Sequence, residues 1–267
     1  MTDLRTQKET KGLKVLRPES RFRFACHEGL DCFTQCCRDI TIVLTPYDIV
    51  RIKNALGISS GLFLEQYTHT LMGKSGFSGV ILKMADDAQK TCPFVTPHGC
   101  GIYEDRPWAC RVYPLQPEST KLTEKSKKSY YSVMDIPFCR CFAENQTTTV
   151  QNWLASQGVP HYMEMEKPFK KITTSPFLSD KNIENRKIQQ MYFMACYDLD
   201  RFRRFVFESS FLHQFATDPA EIDKIGSNDV ALYGFAMKWL EYGLIGQHVL
   251  KVNPDHMAAK KQELGIR

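Results

Sequence analysis

The stretch Cys26–Cys37, CHEGLDCFTQCC, packs four cysteines into twelve residues, and two of them are adjacent. Cys92, Cys100, Cys110, Cys139 and Cys141 follow, so nine of the ten cysteines lie between residues 26 and 141, with only Cys196 outside. Nine thiols in one region constrain the fold more than any other feature of the chain. They can be disulfide staples, buried core residues, a redox dithiol or metal ligands, and each use asks something different of the surrounding sequence.

Staples are the first reading to weaken. The chain has 267 residues, 43% hydrophobic and 24% charged, with 17 Phe and 11 Tyr. A chain of that size and composition can bury a sizeable core without cross-links. Its N-terminus is polar, with no apolar run after the early basic residues. A cytoplasmic protein is therefore expected, in a compartment where thiols stay reduced. No apolar stretch approaches the ~18 residues of a membrane helix. The net charge of +5 is modest. The basic runs near the N-terminus and at Lys121–Ser129 lack the interleaved aromatics of a nucleic-acid groove. They read as solvated segments, and nucleic acid is not an expected partner.

The residues beside the thiols favour ligation. CPFVTPHGCGIYEDRPWACRVYP, from Cys92, places glycine and proline next to three cysteines. Tight loops of this kind aim sulfurs at a shared point. A core role suits isolated Cys196 but not this set. A redox pair would show C-x-x-C beside a βαβ pattern, which is missing. The candidate metal ligands are thus Cys26, Cys32, Cys36, Cys37, Cys92, Cys100, Cys110, Cys139 and Cys141. Nine thiolates exceed one four-ligand site, which accommodates two ions or a polynuclear centre. His27 and His98 read as surface loop histidines. Arg106 and Arg111 flank Cys110 and can donate to sulfurs or carboxylates, or form ordinary surface ion pairs.

An α+β fold is expected: a polar tail over residues 1–20, a cysteine-cluster metal domain over 21–145, and a helical region over 146–267. ITIVL (Ile40–Leu44) and GVILKM (79–84) read as strands. TPYDIVRIKNALG reads as a helix capped by Thr45, with Pro46 at its first position, Asp48 closing a capping box and Gly57 stopping it. A second helix is expected over residues 61–71, and a loop from Cys92 to Pro117. In the C-terminal part, apolar spacing predicts helix between Asn182 and Phe215, a fresh start at Asp218-Pro219, and a last helix over NDVALYGFAMKWLEYGLIG. EKPFKKITTSPF, between them, shows no clear period.

The cluster ending in Cys36-Cys37, followed by TPYDIVRIKNALGIS and then by CGIYEDRPWACRVYP, resembles the CxxCxxCC family of zinc- or iron-chelating domains, the YkgJ-like cysteine-cluster proteins. The likeness spans roughly residues 22–142. It lays Cys36, Cys37, Cys92, Cys100 and Cys110 on family cysteines, with Cys139 or Cys141 on a late one. Cys26 and Cys32 depart from the pattern, because the early spacing here is C-x5-C-x3-C-C. The resemblance implies a chelated iron–sulfur cluster or zinc. Together with the surplus of thiolates, it sets an iron–sulfur cluster slightly ahead of zinc as the expected cofactor. Electron transfer or redox sensing follows from the cluster, and a structural interaction module from zinc, with the helical region free to meet a protein partner. The family also holds flagellin lysine N-methylase-like proteins, so methyl transfer is the enzymatic alternative. No H-E-x-x-H, G-x-S-x-G or G-x-G-x-x-G pattern supports another chemistry. MGKSG at 72–76 has Thr68 where a P-loop needs glycine, and Asp86-Asp87 reads as a solvated turn.

Overall fold

The computed structural model describes residues 15–73, 76–118, 129–176 and 185–254. The strands are β1 (Arg21–Arg23), β2 (Val43–Leu44), β3 (Thr68–Met72), β4 (Ser78–Leu82), β5 (Val95–Thr96), β6 (Gly99–Cys100), β7 (Leu115–Pro117), β8 (Tyr131–Val133) and β9 (Thr147–Thr149). The helices are α1 (Pro46–Leu56), α2 (Ser60–Tyr67), α3 (Trp108–Val112), α4 (Val150–Ser156), α5 (Val159–Thr173), α6 (Arg186–Tyr197), α7 (Leu199–Glu208), α8 (Phe211–Gln214), α9 (Pro219–Ser227) and α10 (Asp229–Ile245). Short strands and helices come first and helices dominate later, which makes the fold α+β. No helix among the described residues is long and apolar enough to cross a membrane. Most of the N-terminal tail and of the Lys121–Ser129 run, and the start of the expected helix at Asn182, lie outside the described residues.

The chain divides into two compact units, each discontinuous in sequence. The first joins Met1–Cys36 to Ala109–Pro160, and the second joins Cys37–Trp108 to His161–Arg267.

In the first unit, β1 pairs antiparallel with β9 in the register Arg21↔Thr149, and β7 pairs with β8. Its core is aromatic. The Phe24 ring lies 5.1 Å from Trp153, 5.3 Å from Phe142 and 6.0 Å from Tyr113, centre to centre. Trp153 Nε1–H donates to the Tyr113 carbonyl at 3.1 Å, so the indole keeps a partner inside this core. These contacts fix the position of Tyr113.

In the second unit, β2, β4 and β3 form an antiparallel sheet in that order. Helix α1 starts and stops where its sequence predicts. Thr45 Oγ1 accepts from the Asp48 N–H, Asp48 Oδ2 accepts from the Thr45 N–H, and Gly57 ends the helix at φ 64°. The stretch expected as one helix over 61–71 is instead α2 followed by β3. The second half, THTLM, pairs residue for residue with β4 from Thr68↔Leu82 to Met72↔Ser78. Edge pairing there outweighs a weak helical pattern. Between Cys92 and Pro117, the expected loop carries short pieces: β5, β6, a 3-10 turn at Tyr103–Asp105, α3 and β7.

EKPFKKITTSPF lies largely within α5. Its inward positions are Val159, Tyr162, Glu166 and Ile172, all buried. One of these is a carboxylate, which breaks the apolar period. The helical stretch to Phe215 is cut at Asp198, whose side chain caps α7 through the Arg201 N–H. The Asp218-Pro219 start and the final helix, closed by Gly246 at φ 67°, form as read.

Candidate metal centre

The thiol-bearing loops of the first unit are held by few backbone bonds. On either side of Cys26, the Phe24 N–H donates to the Gln146 carbonyl at 3.1 Å and the Ala25 N–H to the Cys141 carbonyl at 3.0 Å. The chain then turns back through Leu30 N–H to His27 O, Phe33 N–H to Leu30 O and Gln35 N–H to Cys32 O. Thr34 takes a left-handed conformation at φ 64°, which a β-branched residue rarely adopts. Opposite, turns at Ile136–Cys139 and Arg140–Ala143 present Cys139 and Cys141. The Arg140 N–H donates to Cys32 Sγ at 3.2 Å, so backbone from one loop already solvates a sulfur of the other.

Cys32, Cys139 and Cys141 bring their sulfurs within 4.8 Å of one another. Cys32 and Cys141 are buried and Cys139 is half-buried. Cys26 joins them through a hydrogen bond with Cys141. The residue is exposed, yet desolvation is the main influence that raises its thiol, opposed by that hydrogen bond and reinforced by Cys36, Cys32 and Cys139. Burial likewise pushes the Cys141 thiol up, helped by its contacts with Cys139 and Cys26. Tyr113 hydrogen-bonds Cys139, and its phenol is held protonated by burial and by the nearby sulfurs. Burial that disfavours the thiolate forms of Cys26 and Cys141 is an influence that a bound divalent cation reverses.

The donor set fits such a cation. Zinc binds thiolate at about 2.3 Å, so sulfurs at tetrahedral corners around one ion stand ~3.8 Å apart. The trio lies within 4.8 Å, a limit that includes that spacing. The candidate donors are all sulfur, and the Arg140 N–H supplies an outer hydrogen bond of the kind thiolate sites use.

The other expected ligands are placed as follows. Cys36 and Cys110 belong to the first unit, and Cys36 is near enough to Cys26 and Tyr113 to act on both electrostatically. Cys37, Cys92 and Cys100 belong to the second unit. There the Cys92 N–H donates to the Cys37 carbonyl at 2.8 Å, the Val95 N–H to the Cys92 carbonyl at 3.1 Å, and Cys100 pairs with Val95. Their backbones are neighbours.

His98 sits exposed in the β5–β6 turn, while His27 is exposed with Nε2 at 3.6 Å from Glu144. Arg106 donates to the Tyr103 carbonyl and lies 3.7 Å over that ring, and Arg111 donates to the Gln157 carbonyl at 2.8 Å. Cys196 is buried in α6 beside Tyr192, as its isolation implies. Asp87 takes N–H bonds from Gln89 and Thr91, closing the expected solvated turn. Sequence reasoning passed over Tyr113 and Arg140. Tyr113 stands in CRVYP, three residues after Cys110, and that adjacency was its only signal.

All ten cysteines are among the described residues, and no disulfide joins any of them. No curated protein and no solved structure matches the chain. A family model matches residues 25–150, under the description "Putative zinc- or iron-chelating domain". That span contains the four thiols just described together with every other clustered cysteine. Over residues 25–150, just under half of the chain, the protein is similar to the CxxCxxCC family.

Proposed function

We propose that Cys26, Cys32, Cys139 and Cys141 hold one zinc ion, and that the ion is a structural staple of the first unit. The observation that carries this reading is the mutual 4.8 Å limit among the Cys32, Cys139 and Cys141 sulfurs. A [4Fe–4S] cluster carries one thiolate on each iron and a [2Fe–2S] cluster carries two, so three sulfurs gathered within that limit suit a single ion better than either cluster. Cys26 is the fourth ligand because its thiol touches Cys141 directly.

The unit needs such a staple. Among the described residues its sheets are two pairs of three-residue strands, and two-stranded pairs are marginal in water. Zinc bound here supplies folding energy by cross-linking the Cys26 loop, the Cys32 turn and the Cys139–Cys141 turn. Arg140 and Tyr113 orient the sulfurs of Cys32 and Cys139. Zinc has no redox chemistry, so the function of the protein then lies in what its surfaces bind.

Replacing zinc with Co(II) tests the ligand set. Wild-type protein is expected to give the visible spectrum of a tetrahedral all-sulfur site. C32S, C139S and C141S should each lose that spectrum and lower the zinc content by about one ion per chain. Undiminished zinc in C32S and C139S would reject the assignment.

A further inference from the structure

Helices α6 and α7 follow each other with only Asp198 between them, and a groove of about 590 Å³ opens along them. From α6 it is lined by Lys187, Gln190, Met191 and Met194; from α7, by Arg201, Arg204, Phe205 and Glu208. Both sets fall at i, i+3, i+4 and i+7, so each is one continuous helical face.

The floor is apolar. Met194 is buried, Phe205 is half-buried and Met191 is 39% exposed. Phe205 is braced from behind by Phe211 and Trp239, at ring separations of 5.2 and 5.5 Å. The rim is cationic on both walls, with Lys187 on one and Arg201 and Arg204 on the other. All three cations are exposed. Among the described residues none of them forms an ion pair, whereas neighbouring Arg203 is committed to Asp229 and to the Ile225 and Gly226 carbonyls. Glu208 is the single acid against these three.

We infer that this groove docks an acidic amphipathic helix of a partner protein. Apolar side chains on one face of such a helix would seat on Met191, Met194 and Phe205. Carboxylates flanking that face would meet Lys187, Arg201 and Arg204. Guanidinium forks suit carboxylates, and methionines accommodate varied apolar anchors. A membrane surface fits less well, because a flat bilayer reaches the crests of two helices and not a floor recessed between them. The inference rests on the second unit alone and is independent of the metal reading.

The test uses the full-length protein and a fluorescein-labelled helical peptide of about 16 residues, with leucines on one face and glutamates flanking them. Saturable binding by fluorescence anisotropy is expected, weakened severalfold as salt rises from about 50 to about 300 mM. R201E/R204E should weaken it roughly tenfold or more. Both arginines are exposed, so circular dichroism of the double variant should match the wild type. A peptide with lysines in place of the glutamates should not bind. The proposal is overturned if the acidic peptide fails to bind, if the lysine peptide binds equally, or if R201E/R204E binds with unchanged affinity. It is also overturned if vesicles of phosphatidylserine and phosphatidylcholine are bound while the peptide is not.

Discussion

Asp48 is fully buried, and its carboxylate accepts two hydrogen bonds, from the Thr45 N–H at 2.9 Å and the Trp108 N–H at 2.8 Å, while its own backbone N–H donates to Thr45 Oγ1. Burial nevertheless dominates, with nearby Glu166 adding repulsion, and the carboxyl is raised from 3.8 to about 7. A raised carboxyl binds its proton more tightly in the folded state. Its contribution is therefore most favourable below pH 3.8 and is lost as pH climbs through about 7. D48N removes that dependence at the cost of one acceptor. Measured by urea unfolding, the stability of D48N relative to wild type should rise between pH 4 and 7 by up to about 4 kcal/mol, offset by a pH-independent loss of ~1 kcal/mol. A flat difference across that range would show that Asp48 stays ionised. The sequence made Asp48 legible as a cap, because Thr-Pro-x-Asp is a local pattern. Its burial was not legible, because the group that covers it, Trp108, is sixty residues away.

At the scale of elements, α5 shows what local pattern reading misses and why. Glu166 occupies a buried position between Tyr162 and Ile172, with Oε1 lacking any partner among the described residues and Oε2 at 3.5 Å from Lys170. Burial raises its carboxyl despite Lys170. A polar residue on the inward face conceals a helix from periodicity, and it also costs stability. E166L should complete the apolar face and stabilise the protein near neutral pH by about 1–2 kcal/mol, with E166Q closer to wild type. Equal or lower stability for E166L would mean that the Lys170 contact outweighs the orphaned oxygen. Helices with explicit caps were legible: α1 and α9 each begin on a side-chain acceptor that the sequence names. β3 was not, because strand pairing is a partnership with a distant segment, and no single segment carries it.

For the whole molecule, the α+β class and the cysteine-rich metal domain were legible because composition and Gly/Pro-flanked thiols state them directly. The division into units was not, since β1 meets β9 across more than a hundred residues and no local signal marks that closure. The metal we propose differs from the one the sequence led us to expect. Counting nine thiolates favoured a cluster, whereas the spacing of Cys32, Cys139 and Cys141 supports a single ion. One measurement bears on this most directly: zinc, iron and acid-labile sulfide per chain in anaerobically purified full-length protein. The account predicts colourless protein with zinc bound and no sulfide. Iron accompanied by stoichiometric sulfide and a visible absorption band would contradict it.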